Sequence, residues 1–332
     1  MKKIVFRALI IGCGRIAGIN GDGKTTHAGA MKANNKIDLV ACVDTNLSKA
    51  KVFSKKYHCK YFNDLQSALL YSRADLISIC TPDSTHYEIV KYLLRSNYPP
   101  KVIFLEKPVC LFDFEYFELK EIAKCLGILV VVNHTRRFNT KYKQLRELIN
   151  TSYKGSLYRV NGTYYGGWLH NGVHLVDTIS YLLDDEVRWL RLNDVIQSNN
   201  PNDPSIELTG QMHTSKAKVS LSAIDDSLYQ LFDLDFWFSQ GRLRIENFGD
   251  HIQMEKMVKN LIGERVLIKE SINLSIEDTT EMENAIENIC DYLNCKNSVI
   301  LDLASLNAIG LTMKSIWQGR NLFLKEDKNG HN

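Results

Sequence analysis

The chain has 332 residues, 45% hydrophobic and 24% charged, enough apolar material for a soluble globular protein of about two domains. A formal net charge of +3 is too small to argue for nucleic acid or an acidic membrane surface as a partner. No stretch approaches the roughly 18 uninterrupted apolar residues of a membrane span. Cys13, Cys42, Cys59, Cys80, Cys110, Cys125, Cys290 and Cys295 form no CxxC pair and no Cys/His metal spacing. Most sit in apolar runs, as reduced core thiols of a cytoplasmic protein do. Lys2-Lys3 imitates the start of a signal peptide. Arg7 interrupts the apolar run that follows, and Gly12-Cys13-Gly14-Arg15 ends it, which suits a first strand better.

Phe6–Ile11 reads as a buried strand, and Gly12-Cys13-Gly14-Arg15-Ile16-Ala17 follows at once, fitting G-x-G-x-x-G/A. In that pattern the first two glycines permit a tight turn and close approach of backbone N–H groups to a pyrophosphate. The small third position lets a helix pack on the strand, and the helix N-terminus favours negative charge. Gly12, Cys13, Gly14, Arg15 and Ile16 are therefore cofactor-binding candidates. Ile37–Asp44 is a second strand ending in an acid, and Asp44 lies where a carboxylate receives ribose hydroxyls and repels a 2′-phosphate. That favours NAD, while Arg15 and Lys49 leave NADP open. Gly18-Ile19-Asn20-Gly21-Asp22-Gly23-Lys24-Thr25 also matches the phosphate loop of nucleoside triphosphatases. Such a loop runs directly from strand to helix, and here the dinucleotide turn intervenes. Ile19–Thr26 is instead expected to be an inserted loop, with His27 opening or continuing a helix to Asn34.

Helix and strand then alternate. Leu47–Tyr57 is a helix, Tyr61–Phe62 a short strand, Asp64–Tyr71 a helix, and Asp75–Cys80 a strand ending at Thr81-Pro82. Thr85–Ser96 is a helix, Val102–Leu105 a strand, Phe114–Leu126 a helix, and Ile128–Val132 a strand leading into Asn133–Phe138. This rhythm is that of a doubly wound parallel sheet. Pro108 cannot donate to a ladder, so the strand before Glu106-Lys107-Pro108 stops there. Lys107 then stands at the carboxyl end of a strand, the edge where open α/β sheets bind ligands. A partly desolvated lysine there can donate a proton or polarise an oxygen; a surface lysine before a turn fits the same three residues. Thr81-Pro82, Lys107-Pro108 and Asn133–Arg137 should share this edge with Gly12 and Gly14.

Asn139–Asn150 reads as a linking helix, and from Gly155 the texture changes. Ser156–Tyr165, Val187–Gln197, Ile206–His213, Ala217–Ile224, Tyr229–Phe238, Gly241–Asn247 and Val266–Ser271 are strand candidates joined by polar turns, an antiparallel sheet with one open face. Asn199–Pro204 reads as a plain loop. Helical patterns return at Thr279–Asn294 and Leu301–Gln318, the last expected to pack on the first domain. The domains so drawn are 1–138, with a closing contribution from 301–322, and 139–325. Within the second, Gly166–Asp177 leads into an apolar helix where His170, His174 and Asp177 can share a face. H-x-x-x-H can bind a divalent metal, but no third ligand is evident nearby, and no metal is assigned.

Phe6–Ala17, Cys80-Thr81-Pro82 with His86, Glu106-Lys107-Pro108 and Gly172-x-His174-x-x-Asp177 occur in this order with fitting separations. In these the chain resembles the Gfo/Idh/MocA oxidoreductases, over nearly its whole length and including the stretch around Ser315–Arg320. The resemblance implies an N-terminal Rossmann domain that binds NAD or NADP, with Thr81, Pro82, His86, Glu106, Lys107 and Pro108 joining the turn at the cofactor. It implies a C-terminal α+β domain with a large, open, mainly antiparallel sheet whose face makes a homodimer or homotetramer. It also implies a small-molecule carbohydrate substrate: a sugar, cyclitol or nucleotide-linked sugar. Lys107 corresponds to the family's catalytic lysine, often before a cis proline, and His174 to its catalytic histidine. The residue four before that histidine is commonly aspartate and here is His170. The exchange removes a carboxylate from the proton relay and keeps His170 as a third catalytic candidate. Arg136, Arg137, Tyr164, Trp168, His170 and Asp177 are the substrate-contact candidates.

Hydride transfer asks the protein to hold two carbons close and to move one proton. A histidine exchanges its proton near neutrality, and a lysine stabilises a developing alkoxide. Two other classes share the pattern: a glycosidase that retains NAD through transient oxidation, and a non-catalytic dinucleotide-sensing protein. Retention of Lys107 and His174 argues for an enzyme, while His170 keeps the binding protein open.

Overall fold

Strands covered on both faces must be apolar throughout, and three segments of the first half, β4, β5 and β6 below, are buried end to end. The computed structural model describes residues 5–21, 23–151, 155–275, 277–294 and 299–329; Lys2, Lys3, Asp22 and Cys295 lie outside them. Packing divides the chain into two units, Met1–Asn139 with Glu277–Ile309, and Thr140–Ile276 with Gly310–Asn332.

In the first unit β1 (Phe6–Ile11), β2 (Ile37–Val43), β3 (Lys60–Phe62), β4 (Leu76–Ile79), β5 (Val102–Leu105) and β6 (Leu129–Val132) form a parallel sheet in the order β3-β2-β1-β4-β5-β6. The connections carry α1 (His27–Ala33), α2 (Leu47–Tyr57), α3 (Leu65–Ser72), α4 (His86–Leu94) and α5 (Asp113–Leu126). Local chemistry sets their ends. Asn46 accepts from the N–H groups of Ser48 and Lys49 to start α2, and Asp64 accepts from Ser67 to start α3. Gly127, at φ 65, stops α5 in the left-handed region. Ile11 pairs with both Val43 and Ile79, Ile79 with Leu105, and Leu105 with Val132. Five carboxyl ends therefore stand level, and the strand order reverses between β1 and β4, the switch point where such sheets bind ligands.

The second unit begins with α6 (Thr140–Asn150) and β7 (Leu157–Tyr165). A π-helical turn (Trp168–Gly172) runs into α7 (Val173–Leu183). Then come β8 (Val187–Ile196), β9 (Ser205–Met212), β10 (Lys218–Ile224), β11 (Asp233–Phe238), β12 (Gly241–Glu246), β13 (His251–Lys259) and β14 (Arg265–Glu270). Their order is β14-β13-β12-β11-β7-β10-β9-β8, with β7 and β10 parallel and all other neighbours antiparallel. Val160, Leu234, Phe236, Leu243 and Ile245 are buried at alternating positions. Gly162 lies so close under α7 that a Cβ there would meet Leu175 Cδ2 at 2.7 Å. The opposite face carries Trp237 between the guanidinium groups of Arg159 and Arg242, at 5.7 and 5.5 Å.

Two elements depart from the sequence reading. β13 lay outside the expected strands because Lys256 and Met257 break the alternation of Ile252, Met254 and Val258, and of its residues only Met254 is buried. The helical pattern at the end is also broken. After α8 (Glu281–Leu293) come α9 (Val299–Ala304), in the first unit, and α10 (Gly310–Asn329), in the second. Ser305 causes the break: its hydroxyl donates to Leu301 O and accepts from Ala308 N–H, and its backbone bridges Val131 of β6.

Candidate functional site

The dinucleotide turn sits at the switch point. Gly12 has φ 87, and a Cβ there would meet Cys80 O at 2.7 Å, so glycine is required between β1 and β4. At Gly14 a Cβ would meet nothing within 4 Å, so its backbone can be approached closely. The N–H groups of Gly18 and Ile19 both bond Gly14 O, making one helical turn. The chain then leaves it, and His27 N–H donates to Ile16 O at 3.1 Å and Ala28 N–H to Ala17 O at 2.9 Å. α1 starts at His27 after the inserted loop, as the sequence reading expects, and these bonds splice it onto the turn that follows β1. Within that loop Lys24 pairs with Glu283 at 2.8 Å, and Thr280 bonds its carbonyl. Asp44 accepts from Cys13 N–H at 2.8 Å and from Asn46 N–H at 2.7 Å, so it braces the turn it was expected to serve.

At the end of β5, Glu106 and Lys107 are half-buried and the Lys107–Pro108 peptide is cis. His86 is fully buried, with Nδ1 at 2.6 Å from Pro108 O and Nε2 at 3.0 Å from Thr81 O. With both nitrogens at main-chain carbonyls, His86 holds the ends of β4 and β5 together. Glu106 Oε1 accepts from Asn133 Nδ2 at 2.6 Å and lies 2.8 Å from His27 Nε2. Burial pushes the Glu106 carboxyl up. The His27 and Asn133 hydrogen bonds, with the charges of His27 and Lys107, outweigh it and hold the group below the ordinary glutamate value.

In the second unit Gly166 and Gly167 have φ 68 and 91 and precede the π-helical turn, closed by Gly172 N–H to Gly167 O at 2.9 Å. Asp203 anchors this turn, its two oxygens each accepting at 2.8 Å, from Leu169 N–H and His170 N–H. Burial raises the Asp203 carboxyl despite those bonds. Because the turn is π-helical, His170 and His174 are not one α-turn apart. His170 is exposed and His174 is half-buried in the first turn of α7. Asp177 is buried, accepting from Thr312 Oγ1 at 2.8 Å, so the three do not share an open face. Among the described residues no group of three His, Cys, Asp or Glu side chains could hold a metal ion.

Four of the substrate candidates are buried. The Tyr164 hydroxyl donates to Ile206 O at 2.9 Å and accepts from Ile206 N–H at 2.7 Å, deep in the core. Trp168 Nε1 donates to Ile316 O at 2.9 Å, Arg137 Nη1 to Leu303 O at 2.7 Å, and Asp177 is held as above. Arg136, half-buried, and His170 remain. The sequence reading missed Asp203, placed in a plain loop, and the partners of His27. The Gly166-Gly167 pair was the available signal for Asp203, since a Cβ on Gly167 would meet its Oδ2 at 2.4 Å.

The model of the oxidoreductase family with an NAD-binding Rossmann fold, GFO_IDH_MocA, matches residues 6–134. These residues belong to the Gfo/Idh/MocA family. Among relatives of the Gfo/Idh/MocA segment, D-glucoside 3-dehydrogenase of Escherichia coli is 29% identical over 159 residues, 48% of this chain and 43% of that protein. The chain thus spans less than half the length of that curated relative. Myo-inositol 2-dehydrogenase of Thermotoga maritima is 23% identical over 263 residues, 72% of each chain. The solved structure of UDP-N-acetylglucosamine 3-dehydrogenase from Acidithiobacillus ferrooxidans superposes with a TM-score of 0.74 at 16% identity, covering 96% of this chain and 98% of that one, a likeness of fold. No helix among the described residues is long and apolar enough to cross a membrane.

Proposed function

We propose that the chain is an NAD(P)-dependent oxidoreductase acting on a hydroxyl or carbonyl carbon of a sugar, cyclitol or nucleotide-linked sugar. One observation carries the reading: Gly12, Asp44, Thr81 and Lys107 all follow strands whose carboxyl ends stand level at the switch point of a parallel sheet. The residues fit a dinucleotide. Gly12 makes the tight turn, Gly14 leaves its backbone open, and Asp44 sets a carboxylate beside the turn. When bound, the nicotinamide supplies or takes the hydride. Lys107 stabilises the developing alkoxide, and His174, at the start of α7, takes or gives the proton. The names of three relatives, a D-glucoside, a myo-inositol and a UDP-N-acetylglucosamine dehydrogenase, support the substrate class.

The test is NADH absorbance during turnover over a panel of sugars and cyclitols, with Lys107→Ala and His174→Ala beside the native chain. Sustained change in absorbance, lost in both variants, is expected; near-native rates in both would overturn the assignment. The reading extends to a homo-oligomer formed through the sheet face that carries Arg159, Trp237 and Arg242. A single-chain mass in light scattering would refute that part.

A further inference from the structure

We propose that His27 is a positioning residue that fixes the Glu106 side chain and, through it, its chain neighbour Lys107. The inference rests on reading Lys107 as the residue that handles the substrate oxygen.

His27 is the residue at which α1 resumes after the inserted loop, and its ring is fully buried. Nδ1 meets the Ser78 hydroxyl on β4, Nε2 lies 2.8 Å from Glu106 Oε1 at the end of β5, and Asn133 at the end of β6 donates to the same oxygen. The ring of Phe104, on β5, lies 4.7 Å from the imidazole, centroid to centroid. Two adjacent strands, β4 and β5, thus meet at one imidazole, and a third, β6, reaches the same Glu106 oxygen. Carboxylate, imidazole and hydroxyl stand in the order of a hydrolytic triad, but Ser78 is fully buried within the sheet, so no substrate reaches its oxygen. The line of bonds runs the other way, from the sheet interior out to Glu106.

Hydrogen bonds made away from water hold their members in one geometry, and those of His27 are made at both nitrogens, while Asn133 Oδ1 has no hydrogen-bond partner among the described residues. Glu106 is the outermost member and the only one joined by a peptide bond to Lys107. Its carboxylate and the Lys107 ammonium attract each other, which lowers the Glu106 carboxyl. Glu106 therefore loses both its orientation and its favourable surroundings when the imidazole is removed, and Lys107 loses a fixed anion beside it.

The experiment compares native protein, His27→Ala, His27→Gln, Glu106→Gln and the double variant His27→Ala/Glu106→Gln. The first readout needs no substrate. Glutamate labelled at the side-chain carboxyl carbon is followed by NMR against pH, the Glu106 signal being the one lost in Glu106→Gln. It titrates lowest in the native chain, higher in His27→Ala and between them in His27→Gln, which keeps an N–H donor. An unchanged Glu106 titration in both single His27 variants overturns the proposal. If His27→Ala does not fold, His27→Gln decides. The second readout is turnover with the substrate found above. A fall in kcat of about ten- to a hundredfold is expected, with little change in NADH affinity. Partial recovery is expected in His27→Gln, with no further fall when His27→Ala is added to Glu106→Gln. An equal fall in both backgrounds overturns the route through Glu106. Should the native chain show no hydride transfer, the reading of function fails on its own, while the NMR titration still decides whether His27 governs Glu106.

Discussion

Two glycines of one turn separate folding from binding. At Gly12 an alanine would be held at φ 87, with its Cβ 2.7 Å from Cys80 O and 2.9 Å from Thr81 Cγ2. The backbone conformation costs about 1–3 kcal/mol, and overpacking against an immovable carbonyl about as much again. A loss near 4 kcal/mol lowers the unfolding midpoint by on the order of 10 °C in a protein of this size. At Gly14 an alanine Cβ meets nothing within 4 Å, so stability should change by less than about 0.5 kcal/mol. Its methyl group would instead stand where a pyrophosphate must approach the turn's N–H groups. Loss of one charge-assisted hydrogen bond, about 1.5–3 kcal/mol, weakens dinucleotide affinity roughly ten- to a hundredfold. Thermal unfolding without ligand and fluorescence titration with NADH measure the two effects separately. Native-like NADH affinity in Gly14→Ala, or equal destabilisation by both variants, would refute the reasoning.

Tyr164→Phe removes a hydroxyl that both donates to and accepts from Ile206, so urea unfolding should show a loss of about 1–3 kcal/mol while substrate KM stays native; a raised KM at native stability would restore Tyr164 as a substrate contact. For Glu106 the sign follows from its lowered carboxyl. The group stabilises the fold above the ordinary glutamate value near 4.5, and that contribution is lost as pH falls through its depressed folded value. Glu106→Gln should therefore be less stable than the native chain at pH 7, by about 2 kcal/mol, with the gap closing below pH 4.5 in urea midpoints taken down the acid limb. A gap that does not change with pH would contradict an ionised, paired Glu106.

The parallel sheet was legible because strands buried on both faces announce themselves as apolar runs, Val102–Leu105 above all, and because Asn46, Asp64 and Gly127 mark helix ends by local hydrogen bonding. What escaped was whatever depended on distant partners. The inserted loop and the start of α1 at His27 were read from the sequence, but not the hydrogen bonds that join Ile16 and Ala17 to His27 and Ala28 across that loop. In β13 the alternation of Ile252, Met254 and Val258 is interrupted by Lys256 and blurred by Met257, so its apolar period is weak to read. Ser305 ends α9 with its own side chain inside a stretch that otherwise has helical character.

The candidate site divides the same way. Gly12 and Lys107 were readable because backbone geometry and a following proline constrain them where they stand. Arg137, Tyr164, Trp168 and Asp177 were chosen for their chemistry, and the core claimed all four. The departure at His170 is altered by the same kind of long-range contact. The family's usual aspartate is absent there, yet Asp203, from the loop between β8 and β9, brings a carboxylate onto the N–H groups of Leu169 and His170. Its interaction with the His170 ring is attractive and lowers the Asp203 carboxyl, against the larger effect of burial. The substitution therefore changes which side chain reaches solvent at 170 but leaves a carboxylate at that turn, held by the N–H groups of Leu169 and His170 just before α7.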